Sequence, residues 1–152
     1  MKKYIAPIIL CVLIGLSMGK IMFEQYNKSI PVSTPPIETI YFLQAGVYEI
    51  EENMKKACSK YDSYISVYKD NKYYVYLAMT KNTENLEKLK GYFKNLGYDI
   101  YVKEITINNS GFIENLNQYD LLLKQANTND QINAINKSIL ATYEEMMNND
   151  QN

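Results

Sequence analysis

IYFLQAGVY (residues 40–48) alternates with a two-residue period, so an extended chain places Tyr41, Leu43, Ala45 and Val47 on one side and Phe42, Gln44, Gly46 and Tyr48 on the other. The residues that follow switch period repeatedly. Residues 51–61 put Met54, Ala57, Cys58 and Tyr61 on one helical stripe, which makes Cys58 a small core residue rather than a nucleophile. Residues 64–69 and 73–79 are rich in Tyr, Val and Ile and flank Asp70-Asn71-Lys72, the pattern of a hairpin. A second helix is expected over 83–96, with Leu86, Leu89, Phe93 and Leu96 on one side and Gly97 just past its end. Residues 98–105 supply a fourth strand. The order β-α-β-β-α-β predicts an α+β domain of the split βαβ, ferredoxin-like kind, a four-stranded antiparallel sheet with both helices on one face.

Strand parity then divides the sheet. Leu43, Ala45, Val47, Ile65, Val67, Val75, Leu77, Ile100 and Val102 are expected in the core. The opposite parity holds Phe42, Gln44, Tyr64, Ser66, Tyr68, Tyr74, Tyr76, Tyr101 and Lys103, a set too aromatic for a solvated face unless something docks there. The alternative is that these tyrosines satisfy β propensity, or are covered by the helices at the C-terminus.

In this stretch the chain resembles the SPOR (sporulation-related repeat) domain, a small extracytoplasmic module of bacterial division, cell-wall and sporulation proteins. Phe42-Leu43-Gln44-Ala45-Gly46-Val47-Tyr48 is similar to that family's first-strand pattern of hydrophobic, Gln, hydrophobic, Gly, any residue, aromatic. Asn71-Lys72-Tyr73-Tyr74-Val75-Tyr76-Leu77 looks like its third strand, followed by a helix ending in Leu96-Gly97-Tyr98. The chain departs from the family at Ala78-Met79, where Gly-Pro is frequent, and at Glu49, where a small polar residue is frequent.

The resemblance implies binding of peptidoglycan, particularly glycan strands stripped of their stem peptides. The ligand-binding residues it points to are Phe42, Gln44, Ser66, Tyr68, Tyr74, Tyr76 and Tyr101, with Gln44 foremost by position. Their chemistry suits sugars, because aromatic faces stack on sugar rings while amide and hydroxyl groups bond hydroxyl and N-acetyl groups. No catalytic residue, cofactor or metal is expected.

Before this domain, residues 1–24 read as a membrane anchor. Lys2 and Lys3 precede a nearly unbroken apolar run from Tyr4 to Phe23, about the 20 residues that cross a bilayer, and the lysine asymmetry puts the N-terminus in the cytoplasm and the rest outside. A cleaved signal peptide is the competing reading, since Ser17-Met18-Gly19 offers a cleavage site. Residues 25–38 contain Pro31, Pro35 and Pro36 and form a stiff spacer. The SPOR-like domain occupies 39–107. Anchor, spacer and domain together are similar to the stage II sporulation protein B family.

Residues 108–152 form a separate object. Phe112, Leu116, Tyr119, Leu123 and Ala126 recur at helical spacing, a polar turn intervenes at Asn127-Thr128-Asn129-Asp130, and Ile132, Ile135, Ile139, Tyr143 and Met146 repeat the pattern. This αα-hairpin either packs on the domain or presents a seam to a protein partner.

Charge narrows the remaining classes. The chain has 16 basic residues, all Lys, against 17 acidic ones, no His, and a net charge of -1. Residues 38–104 carry as many lysines as acids, so an RNA-recognition-like role for the aromatic sheet lacks its basic funnel, and no nucleic-acid partner is expected. Cys11 and Cys58 form no CxxC, which leaves neither a zinc site nor an internal disulfide. Adjacent carboxylates at Glu51-Glu52 and Glu144-Glu145 have no visible apolar site to raise a pKa, so an enzyme is the class least supported.

Overall fold

Strand β1 (Glu38–Tyr48) runs through a four-stranded antiparallel sheet of order β2-β3-β1-β4, with β2 (Ile65–Lys69), β3 (Lys72–Thr80) and β4 (Tyr101–Ile107). Helix α1 (Glu51–Cys58) joins β1 to β2, α2 (Thr83–Asn95) joins β3 to β4, and α3 (Ser110–Gln125) and α4 (Asn129–Asn149) follow β4. The computed structural model describes residues 38–149, so the expected anchor at 1–24 and nearly all of the spacer lie outside the described residues. Among the described residues no helix is long and apolar enough to cross a membrane. The α+β class and the antiparallel sheet are as the sequence predicts. The first helix is shorter, stopping at Cys58, and the fourth strand starts three residues later, at Tyr101.

Local chemistry sets the boundaries. Asp70 and Asn71 have φ of 52° and 59°, the left-handed pair that a two-residue hairpin turn requires, and Tyr68 Oη donates to Asn71 Oδ1 at 3.3 Å. Asn82 caps α2 by accepting from the backbone N–H groups of Glu84 and Asn85. At the other end Gly97 takes φ +76°, Tyr98 N–H bonds Phe93 O and Gly97 N–H bonds Lys94 O, while the Tyr98 ring stacks on Phe93 at 6.4 Å.

The register of β1 against β3 decides the faces. Tyr41, Phe42 and Leu43 oppose Thr80, Met79 and Ala78; then Gln44 opposes Tyr76, skipping Leu77, and Gly46 opposes Val75, skipping Ala45. Opposed residues share a face, so each slip reverses the parity of the chain beyond it. Tyr48 follows Gly46 on that face, and a Cβ on Gly46 would meet the hydroxyl end of the Tyr48 ring at 2.8 to 3.0 Å, so the absence of a side chain at Gly46 lets that ring approach the strand.

Three expectations are corrected here. Val47 opposes Tyr74 and is 41% exposed, so it leaves the core face expected of it. In β2 the faces are interchanged: Ile65 and Val67 oppose Tyr76 and Tyr74, while Ser66 and Tyr68 oppose Val75 and Tyr73. Val102 opposes Leu43 as expected but lies on the edge strand β4, with 38% of its surface exposed. Counting by twos cannot register a bulge, and the hairpin turn sets the phase of β2 independently of its composition.

The face holding Leu43 and Val75 carries α1, whose Met54 and Cys58 are buried and whose Glu51 and Lys55 stand by Tyr73. The face holding Phe42 was expected to be open, and its centre is not. Tyr143 of α4 meets Phe42 edge-on at 5.3 Å, Phe112 of α3 meets Tyr143 at 5.3 Å, and Phe42 meets Tyr76 at 5.0 Å. Such T-shaped contacts stabilise by about 0.5 to 1.5 kcal/mol each beyond the area they bury.

Polar anchors hold the helix pair to the domain. The buried Asp120 carboxylate accepts from Thr80 Oγ1, from the Lys81 backbone N–H at 3.0 Å and from Asn85 Nδ2 at 2.9 Å, and Asn85 Nδ2 also bonds the Asp120 carbonyl at 2.8 Å. Lys88 Nζ donates to the carbonyls of Leu123, Lys124 and Ala126, neutralising the C-terminal end of α3. On α4, Asn136 Nδ2 donates to the Leu77 carbonyl at 2.7 Å, at the residue that the β1–β3 register skips. A lost partner in such a network strands a buried polar group at a cost of about 1 to 3 kcal/mol.

Candidate ligand-binding surface

The seven residues singled out in the sequence do not form one patch. Phe42 is fully buried and Gln44 and Tyr76 are each 6% exposed, at the centre of the face that Tyr143 covers. Tyr74 is half-buried beside them, and Tyr101, opposite Gln44 on β4, is 64% exposed. Ser66 and Tyr68 are exposed but belong to the Val75 face.

What stays open on the Phe42 face is a groove of about 520 Å³, lined by Val67, Lys69, Tyr74, Tyr76, Ile105 and Tyr143 among others. Residues of β2, β3 and β4 border this hollow together with Tyr143 of α4. Tyr143 is the residue the sequence reading did not place here. Its spacing with Ile139 and Met146 marks it as part of an apolar helical stripe, and only the packing of α4 turns its ring toward the sheet.

Burial pushes the Tyr143 hydroxyl up to about 12, with Tyr76 adding to the shift, and burial likewise raises Tyr76, with Tyr74 adding. Both hydroxyls therefore stay protonated at neutral pH, able to donate and accept. Lys69 brings a positive charge to the lining, and Asp70 and Glu104 bring two negative ones. A mixed-charge hollow walled by aromatic rings can stack flat apolar faces and bond neutral hydroxyl and amide groups.

Burial raises the Cys58 thiol, keeping it protonated and unreactive. Among the described residues no group of three His, Cys, Asp or Glu side chains stands close enough to hold a metal ion. No family model matches the chain, and neither does any curated protein or solved structure. The likeness to the SPOR pattern therefore rests on the strand motifs around Gln44 and Val75 and on their order along the chain.

Proposed function

We propose that this chain is a non-enzymatic, membrane-anchored protein that binds peptidoglycan glycan strands at division or sporulation septa, through a SPOR-like domain of the split βαβ kind. The observation that carries the reading is the aromatic groove, in which Tyr74, Tyr76 and Tyr143 stand around a hollow large enough for a sugar unit. The binding role moves away from Gln44, which is buried and does not line the groove, to the half-buried Tyr74, with the buried rings of Tyr76 and Tyr143 as the groove's floor and Tyr101 as an outlying aromatic on the same face. The balanced charge of residues 38–104 suits a ligand recognised by stacking and hydrogen bonds rather than by its backbone charge.

The test uses the full chain in detergent and purified sacculi, before and after amidase treatment. Retention should rise after amidase treatment, change little between low and moderate salt, and fall severalfold in Tyr74→Ala. Undiminished retention of a folded Tyr74→Ala protein would remove the groove from the reading. A steep loss with salt would favour a nucleic-acid reader instead.

A scaffold reading has one observation of its own: Leu121 and Leu122 on α3 are 63% and 50% exposed. Adjacent exposed leucines on a helix suit a protein partner. Leu121→Ser with Leu122→Ser should leave sacculus binding intact under the first reading and abolish localisation under the second.

A further inference from the structure

Strand β2 ends the sheet; among the described residues it pairs with β3 alone. The two-residue turn makes Lys69 and Lys72 the first hydrogen-bonded pair, so the alternation of the ladder points the N–H and C=O groups of Lys69, Val67 and Ile65 toward β3 and those of Ser66 and Tyr68 outward. Among the described residues no backbone hydrogen bond outside the ladder involves Ser66 or Tyr68.

Helix α4 runs beside this edge. A trough of about 560 Å³ lies between residues 64–68 and a helix wall that includes Tyr143, Glu144 and Met147. It continues past Tyr64 and Ile65 into a hollow of about 330 Å³ walled by Lys137, Leu140, Ala141 and Glu144. These helix positions recur at three- and four-residue intervals, so one stripe of α4, about 15 Å long, faces the edge of β2 and the loop at 61–64 that leads into it.

We propose that the trough between β2 and α4 receives an extended peptide of a partner protein, which adds to the sheet as a fifth strand and sets a basic side chain against Glu144. Outward backbone donors and acceptors repeating every second residue match an extended backbone and no other regular structure. The length agrees, since five extended residues span about 17 Å. The charge also points one way. Among the described residues Glu144 is the one acid lining the trough beside residues 64–68, and it takes part in none of the ion pairs, whereas in the adjoining hollow Asp62 and Lys137 neutralise each other at 2.8 Å. A second copy of this chain pairing through β2 would bring its own Glu144 to the same edge, like charge against like, which disfavours self-pairing. This site is separate from the glycan reading, although Val67 and Tyr143 border both hollows.

The test uses the full chain in detergent and three fluorescent hexapeptides: alternating Val and Lys, alternating Val and Glu, and the Val-Lys peptide N-methylated at alternate residues. Binding by anisotropy should favour the Val-Lys peptide at least tenfold over each of the others, and that peptide should slow amide exchange at Ser66 and Tyr68. Glu144→Lys should reverse the preference between Lys and Glu peptides while leaving sacculus retention unchanged, which keeps this outcome distinct from failure of the glycan reading. Equal affinity for the N-methylated peptide, no binding at millimolar concentration, or protection of Ser66 and Tyr68 without peptide through dimer formation would each overturn the proposal.

Discussion

One face of the sheet has two different ends. Around Phe42, Gln44 and Tyr76 it is sealed by Phe112 and Tyr143, while Tyr74 borders an open groove and Tyr101 is largely exposed. All five sheet residues look alike in the sequence, as polar-parity positions of aromatic-rich strands. Their difference teaches that exposure along a face is set by how far a covering element extends, not by strand parity. The helix pair covers the centre of the face and leaves Tyr101 and the groove beside Tyr74 to solvent, so open aromatic surface survives only where the cover ends.

The largest effect should come from breaking the sealed end. Phe42→Ala should destabilise by about 3 to 5 kcal/mol in urea unfolding, as a truncation of a fully buried ring in contact with two others. A cost below about 1 kcal/mol would mean that Phe42 is not covered as described, since surface changes usually stay within about 0.5 kcal/mol.

Next in size is the anchor that brings the cover into place. Asp120→Ala removes the acceptor of Thr80, Lys81 and Asn85 and should cost about 2 to 4 kcal/mol. Tyr143 should also become accessible to iodination. An unchanged urea midpoint would show that the helix pair docks without this network.

A third effect sharpens the sealed end through pH. The folded-state pKa of Tyr143, about 12, stands above its ordinary value, so its contribution to stability is complete below pH 10 and is lost as pH rises from there through about 12. The loss should be smaller in Tyr143→Phe, with the remaining slope shared by Tyr76, whose pKa is also raised by burial. Identical slopes in the two proteins between pH 10 and 12 would contradict the burial of the hydroxyl.

The smallest effect on stability belongs to the open end. Tyr101→Ala should change stability by less than about 0.5 kcal/mol, as an exposed edge-strand substitution, yet reduce retention on amidase-treated sacculi. Loss of stability without loss of retention would place Tyr101 in the packing and remove it from the binding surface.

Much of the architecture was legible in the chain because it depends on near neighbours. Alternation in residues 40–48, the Asp70-Asn71 turn and Gly97 are local signals, and each set its element within a few residues of where it lies. The helical stripes at Phe112 to Leu123 and Ile132 to Tyr143 were equally plain, since amphipathic periodicity announces that a face will be buried. Tertiary structure alone decided against what. The slips at Leu77 and Ala45 reversed parity in mid-strand, and no property of those two residues marks them, because a bulge arises from the match between two strands distant in sequence. The burial of Gln44 and the turning of Tyr143 toward Phe42 followed from the docking of α3 and α4 through Asp120 and Lys88, contacts whose partners lie 35 or more residues away. Sequence by itself determined which surfaces must find cover; which surface each received was settled by long-range packing, where no single residue carries the signal.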